Sequence, residues 1–313
     1  MQKALVAEGQ RLPTATPWAW GDVEGHGAGV GEVQSGWVLI WTTPLPALHF
    51  RAVAMDFSEF DAVLLDLDGT IYHEENALVG AAELVRRLQR EGRRFACLSN
   101  STNSPGQISG RLKRMGMQVE AEHIYPATEA AATYVVEKYG RPRVFNLATT
   151  GMQELLEGRV EWVENEGQKC DAVIVGCPSN VYATEERQRA ALVLLREGAE
   201  LVGICADRVF PSPRGLEFGC GAFCELLGYS ANVEPVFCGK PEEKFFLELC
   251  RKLGVAPGRC VLIGDNLESD VAGGKRVGMK TVLTLTGVAR REDLEGLAEG
   301  KRPDGVVGDL REL

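Results

Sequence analysis

From residue 61 onward, short unbroken apolar runs alternate with longer segments whose apolar positions recur every three or four residues. "DAVLLD" (61–66), "RFACLSN" (94–100), "CVLIGD" (260–265) and "TVLTLTG" (281–287) read as strands buried on both faces. Between them, "AAELVRRLQREG" (81–92) has a helical period and closes on Gly92. Ser104 and Pro105 supply an N-cap and a first-turn proline to a helix running to Gly116. "EEKFFLELC" (242–250) and "ESDVAGGKRVG" (268–278) also read as helices. The alternation predicts an α/β fold: a doubly wound parallel sheet with helices on both faces. Residues 139–234 carry an alternation of their own, "RVFNLA", "VEWVE", "DAVIVG", "TEERQRAALVLLREG" and "ELVGIC". That is length enough for an inserted α/β domain, which leaves a discontinuous core of 56–138 and 235–313.

Residues 1–55 follow another grammar. They hold four of the five tryptophans and seven glycines, with no sustained period. A transit peptide is basic and a secretory signal needs a longer apolar core, so neither fits. The expectation is an N-terminal extension outside the catalytic unit, either a disordered tail or a stretch upstream of a true start at Met55. The rival expectation is that "WAW" (18–20) and "GWVLIW" (36–41) pack on the core or bind a partner.

Composition narrows the function. The net charge of −10 argues against a nucleic-acid or anionic-membrane surface. The run "WVLI" is far too short to span a membrane. Nine scattered cysteines without a CxxC pair read as buried hydrophobes in a reducing cytoplasm.

The chemistry gathers at strand ends, where open parallel sheets bind ligands. Asp66 and Asp68 end the first strand, two residues apart and so about 7 Å apart on one face. Like charges at a buried tip need an offset, and a cation is the natural one. Ser99 and Asn100 end the second strand, Asp265 ends "CVLIGD" with Asp270 five residues on, and Lys240 follows "PVFCG". Oxygen ligands without His or Cys suit Mg²⁺. A lysine and a hydroxyl suit a phosphoryl group. An aspartate beside both can be a nucleophile, and a second carboxyl two residues on can protonate a leaving alkoxide and then activate water.

This constellation resembles the haloacid dehalogenase (HAD) superfamily of phosphatases, with its Rossmann-like core. "DLDGT" looks like its first motif, "LSN" its second, the lysine of "GKP" its third and "GDNLESD" its fourth. The long insert is similar to the α/β cap of subfamily IIA, as are "GKPEEKFF" and "FPSPRGLEFGCGAF". That branch includes 4-nitrophenyl, pyridoxal, phosphoglycolate, glycerol-phosphate and nucleotide phosphatases. The resemblance implies Asp66 as nucleophile and magnesium ligand, and Asp68 as acid/base with its backbone carbonyl on the metal. Ser99 and Lys240 would hold phosphoryl oxygens, with Asn100 near the substrate. Asp265 would complete the metal ligands, and Asp270 would support metal or lysine from behind. It further implies a small phosphorylated metabolite as substrate and a homodimer through the cap. The specificity loop would hold Asp207, Arg208 and Phe210, with Arg208 and Arg214 as candidates to meet a substrate carboxylate. One departure stands out: relatives carry Asn-Pro-Asp ahead of this loop, and here Cys205 and Ala206 precede Asp207.

Two other readings compete with a Mg²⁺-dependent phosphomonoester hydrolase. A phosphomutase uses the same aspartyl phosphate but usually carries a small helical cap. A catalytically silent binding or regulatory module would not keep every chemical position occupied.

Overall fold

The computed structural model describes residues 38–40, 51–53, 56–212 and 215–313. Strands β1 (Val38–Ile40) and β2 (Arg51–Val53) come first and extend one edge of the main sheet. Part of the stretch expected to stand outside the core is therefore paired with it; the rest of 1–55 lies outside the described residues. β3 (Ala62–Asp66) is buried throughout, and its side chains alternate between two apolar clusters. Ala62 and Leu64 join one, Val63 and Leu65 the other, on the opposite face. A two-residue hairpin, β4 (Tyr72–His73) and β5 (Asn76–Ala77), follows the β3 tip. α1 (Ala81–Arg90) buries Ala81, Leu84, Val85 and Leu88, one helical face. After β6 (Phe95–Ser99), α2 (Pro105–Arg114) starts with a capping box in which Ser104 and Gln107 satisfy each other's backbone N–H groups. β7 (Ile124–Pro126) and α3 (Ala127–Tyr139) then lead out of the core.

The inserted domain begins with β8 (Arg143–Leu147), α4 (Thr150–Leu156), β9 (Glu161–Trp162) and β10 (Ala172–Val175). It continues with α5 (Glu185–Arg196), β11 (Glu200–Gly203), the hairpin β12 (Val209–Ser212) and β13 (Gly215–Phe218), α6 (Cys220–Ala231) and β14 (Val236–Phe237). Its sheet is parallel throughout, in the order β14-β11-β10-β8-β9. β14 belongs to it, so the expected end at 234 falls one strand short; Val236 and Phe237 pair with Val202 and Gly203.

The chain returns to the core through α7 (Glu243–Leu253), β15 (Cys260–Gly264), α8 (Gly273–Arg276), β16 (Lys280–Thr284) and β17 (Gly305–Val307). The main sheet runs β2-β1-β17-β16-β15-β3-β6-β7, parallel from β17 to β7, with β1 antiparallel to β17. From β3 the chain winds outward through β6 and β7, and later in the other direction through β15 to β17. The order therefore reverses between β3 and β15, and a crevice opens beyond their carboxyl ends. The helix expected at 268–278 is a correction. Leu267–Ala272 forms a wide π-type turn, and only Gly273–Arg276 is α-helical. Turns of this kind concentrate at functional sites, and this one carries Asp270.

Candidate active site

Asp66 ends β3 and Asp265 follows β15, the two strands that flank the crevice. Asn266 caps the π-type turn, its side chain accepting from the N–H groups of Glu268 and Ser269 at 2.9 and 3.1 Å. The turn swings Asp270 back toward the strand ends. Asp66, Asp265 and Asp270 are all buried, and each offers a carboxylate oxygen within 4.8 Å of the others. Lys240 joins them: its Nζ donates to Asp66 Oδ1 at 2.5 Å and to Asp270 Oδ1 at 2.6 Å.

Backbone choices let these groups approach. A Cβ on Gly264 would strike the Asp270 carboxyl, and one on Gly69 (φ +82°) or Gly287 would strike that of Asp265. The loop after β16 closes on Asp265, whose Oδ2 accepts from the Val288 N–H at 2.6 Å.

Electrostatics mark the cluster as short of positive charge. Burial pushes Asp66 up to about 7; Lys240 pulls it down and Asp265 adds to the rise. Burial likewise raises Asp270 to about 6 against the pull of Lys240. Asp265 is raised by burial and by Asp270. Burial disfavours the Lys240 charge, but Asp270 and Asp66 outweigh it and hold the ammonium protonated. Three carboxylates against one ammonium leave a net deficit that a divalent cation would fill, and the all-oxygen donor set fits Mg²⁺.

Asp68 stands apart. Its side chain opens toward solvent and does not join the three carboxylates. The protein atoms crowded around it still raise its pKa, while Arg111, the Tyr72 hydroxyl and His73 oppose that rise. A carboxyl held up in this way is suited to give a proton. Arg111 lies over the Tyr72 ring, 4.4 Å from its centroid, behind this acid.

Ser99 ends β6, buried, its Oγ accepting from the Ser101 N–H at 3.1 Å. Asn100 ties the inserted domain to the core. Its Nδ2 donates to both Asp207 oxygens at 3.1 and 3.2 Å and to the Lys240 carbonyl at 3.0 Å, and its Oδ1 accepts from the Lys240 N–H at 2.8 Å. Asp207 therefore reaches the site, whereas Arg208 is exposed and Phe210 half-buried. Arg214 lies outside the described residues.

Sequence reasoning passed over Thr70. It is fully buried, and its hydroxyl lies 3.3 Å from Asp66 Oδ2 and 3.5 Å from Asp265 Oδ1. Its position inside "DLDGT" was the available signal. The Thr286–Val288 loop was passed over as well, and no local pattern announces it.

The chain matches two protein-family profiles, one described as haloacid dehalogenase-like hydrolase over residues 63–159 and one as HAD-hydrolase-like over 237–313. The 5'-nucleotidase YutF of Bacillus subtilis is 28% identical over 254 residues, 81% of this chain and 97% of that protein. An acid sugar phosphatase of Staphylococcus aureus is 29% identical over 238 residues, 76% of this chain and 91% of that one. The crystal structure of 4-nitrophenylphosphatase from Thermotoga maritima is similar with a TM-score of 0.74 at 29% identity, covering 82% of this chain and 97% of that one.

Proposed function

The chain belongs to the haloacid dehalogenase (HAD) superfamily, in its phosphatase subfamily IIA, and on that footing we propose a Mg²⁺-dependent phosphomonoester hydrolase that works through an aspartyl phosphate on Asp66. The observation that carries this reading is the buried group of Asp66, Asp265, Asp270 and Lys240 at the switch point of the sheet. Asp66, Asp265 and the Asp68 backbone carbonyl would hold the ion, which supplies positive charge against the cluster and the phosphoryl oxygens. Asp270 keeps Lys240 in place from behind.

Lys240 and the Ser99 hydroxyl orient a phosphoryl group in line with Asp66. An Asp66 carboxylate oxygen attacks phosphorus, the ester P–O bond breaks, and Asp68 gives its proton to the leaving alkoxide. Asp68, now a carboxylate, takes a proton from water as that water attacks phosphorus and the bond between phosphorus and the Asp66 oxygen breaks. Phosphate departs, and both aspartates return to their starting states. The core groups address only the phosphoryl end, so the rest of a small phosphorylated metabolite faces Asn100 and the loop of Asp207, Arg208 and Phe210. All nine cysteines are free and seven are buried, which supports a reducing compartment, the cytoplasm. No helix among the described residues is long and apolar enough to cross a membrane.

The test is phosphate release from 4-nitrophenyl phosphate with Mg²⁺. The native chain should turn over and Asp66→Asn should not, because an amide is neither a nucleophile here nor a good magnesium ligand. Substantial activity in a contaminant-free Asp66→Asn sample would sink the mechanism.

A further inference from the structure

Thr286, Gly287 and Val288 follow β16 and supply no carboxylate to the acidic cluster, yet they bond to both strand tips that carry it. The segment is anchored on either side. Before it, the Leu285 N–H donates to the Val307 carbonyl of β17 at 3.0 Å. After it, Ala289 is buried in an apolar cluster with Leu283, Leu294 and Val306. A short loop pinned at both ends resists displacement.

Toward the β15 tip the loop presents two successive N–H groups. Val288 donates to Asp265 Oδ2 at 2.6 Å and Ala289 to the Asp265 carbonyl at 3.0 Å, so side chain and backbone of this aspartate are gripped together. Toward the β3 tip it presents the Thr286 hydroxyl, which donates to the Gly69 carbonyl at 2.6 Å. A carbonyl can only accept, so the single Thr286 proton goes there. The Thr284 hydroxyl, fully buried and 2.9 Å away, then donates to Thr286 and holds it in place. Gly69 is the residue after Asp68, and its own N–H donates to the Tyr72 carbonyl at 2.8 Å. In a planar trans peptide the Asp68 carbonyl points opposite to the Gly69 N–H, so the bonds at Gly69 fix its direction. Two glycines let the three parts close on one point. A Cβ on Gly287 would strike Asp265 Oδ2, and one on Gly69 would come within 3.1 Å of the Gly287 Cα.

We propose that this loop is the positioning element of the metal site, with Thr286 and Gly287 as its working residues. It holds the Asp265 carboxylate at a set distance from the Asp66–Asp68 tip and thereby sets the affinity for the divalent cation. The inference rests on the Mg²⁺ reading above. Mg²⁺ demands near-ideal octahedral geometry, so small errors in ligand separation weaken its binding. Groups that orient metal ligands from behind change affinity by about 10–100-fold when removed.

The test is calorimetric titration of Mg²⁺ into the resting full chain, with Asp265→Asn as the reference for loss of the site. Thr286→Val keeps the branched shape and removes the hydroxyl, and Thr286→Ser restores it. The valine should raise the Mg²⁺ dissociation constant about tenfold, and the serine should stay within about twofold of native. Gly287→Ala is the sharper variant. Gly287 is exposed and its φ is not positive, so the backbone accepts a methyl and the cost falls on the Asp265 carboxylate. Its affinity should fall about 100-fold. Melting curves separate positioning from general damage: the variants should melt close to the native chain in EDTA and lose most of the shift that Mg²⁺ gives. If the native chain and Asp265→Asn bind Mg²⁺ alike, the metal reading fails and this inference with it. If Asp265→Asn loses the ion while Thr286→Val and Gly287→Ala bind it like the native chain, the loop has no such role and the metal reading stands. A melting loss that is the same in EDTA and in Mg²⁺ marks a merely structural loop and overturns the inference as well.

Discussion

Asp66 and Asp68 share a strand tip but sit in opposite environments, and the roles proposed for them rest on that difference. Asp66 is 4% exposed and held by Lys240 at 2.5 Å, as the proposed nucleophile requires. Asp68 faces solvent, where a leaving group and a water can reach it. Asp68→Asn should therefore slow ester cleavage most where the leaving alkoxide is basic, by about 10²–10⁴-fold. 4-Nitrophenolate departs without a proton, so phosphorylation by that ester should suffer far less. Rapid-quench rates on an alkyl phosphate and on the nitrophenyl ester make the comparison; equal losses would remove Asp68 from this role. The place of both aspartates at a strand tip was legible in the sequence, because paired acids after a buried apolar run demand an explanation. For Thr70 the motif gave a local signal, its place four residues after Asp66, but its contact with Asp265 arises only through the β3–β15 pairing.

At the scale of elements, the buried strands β3, β6 and β15 could be placed from their apolar runs, and the crevice follows from their order. Two features could not be placed in this way. The π-type turn at Leu267–Ala272 has the same apolar period as an ordinary helix, and it is the reach of Asp270 to Lys240 that the wider turn accommodates. The Asn100–Asp207 contact joins residues 107 positions apart, and no local pattern encodes it. That contact lays the loop before β12 against the site. Phe210→Ala or Arg208→Ala should consequently reorder the preferred phosphorylated metabolites while changing 4-nitrophenyl phosphate turnover much less. A phosphate-release screen over a metabolite panel reads this directly. An unchanged ranking in both variants would move specificity to another part of the cap.

For the whole molecule, the buried acidic cluster links stability to protons and, on the proposed function, to a metal. Asp66 and Asp270 hold their protons more tightly in the folded state, up to about 7 and about 6, than in the unfolded chain. Metal-free protein therefore binds more protons folded than unfolded in this range, so its stability falls as pH rises through it. Mg²⁺ needs the ionised carboxylates and removes their repulsion, so its stabilising effect should grow in the same direction. Melting curves with EDTA and with Mg²⁺ should differ little at about pH 5 and clearly at about pH 8. An equal shift at both would detach this cluster from the metal.

The most direct test of the account is to catch the phosphoryl group on the enzyme. Acid quench during turnover, reduction with borohydride and tandem mass spectrometry convert an aspartyl phosphate into homoserine at the residue that carried it. Homoserine should appear at position 66, only when substrate is present, and disappear in Asp66→Asn. Homoserine at another aspartate, or none while the native chain releases phosphate, would contradict the mechanism.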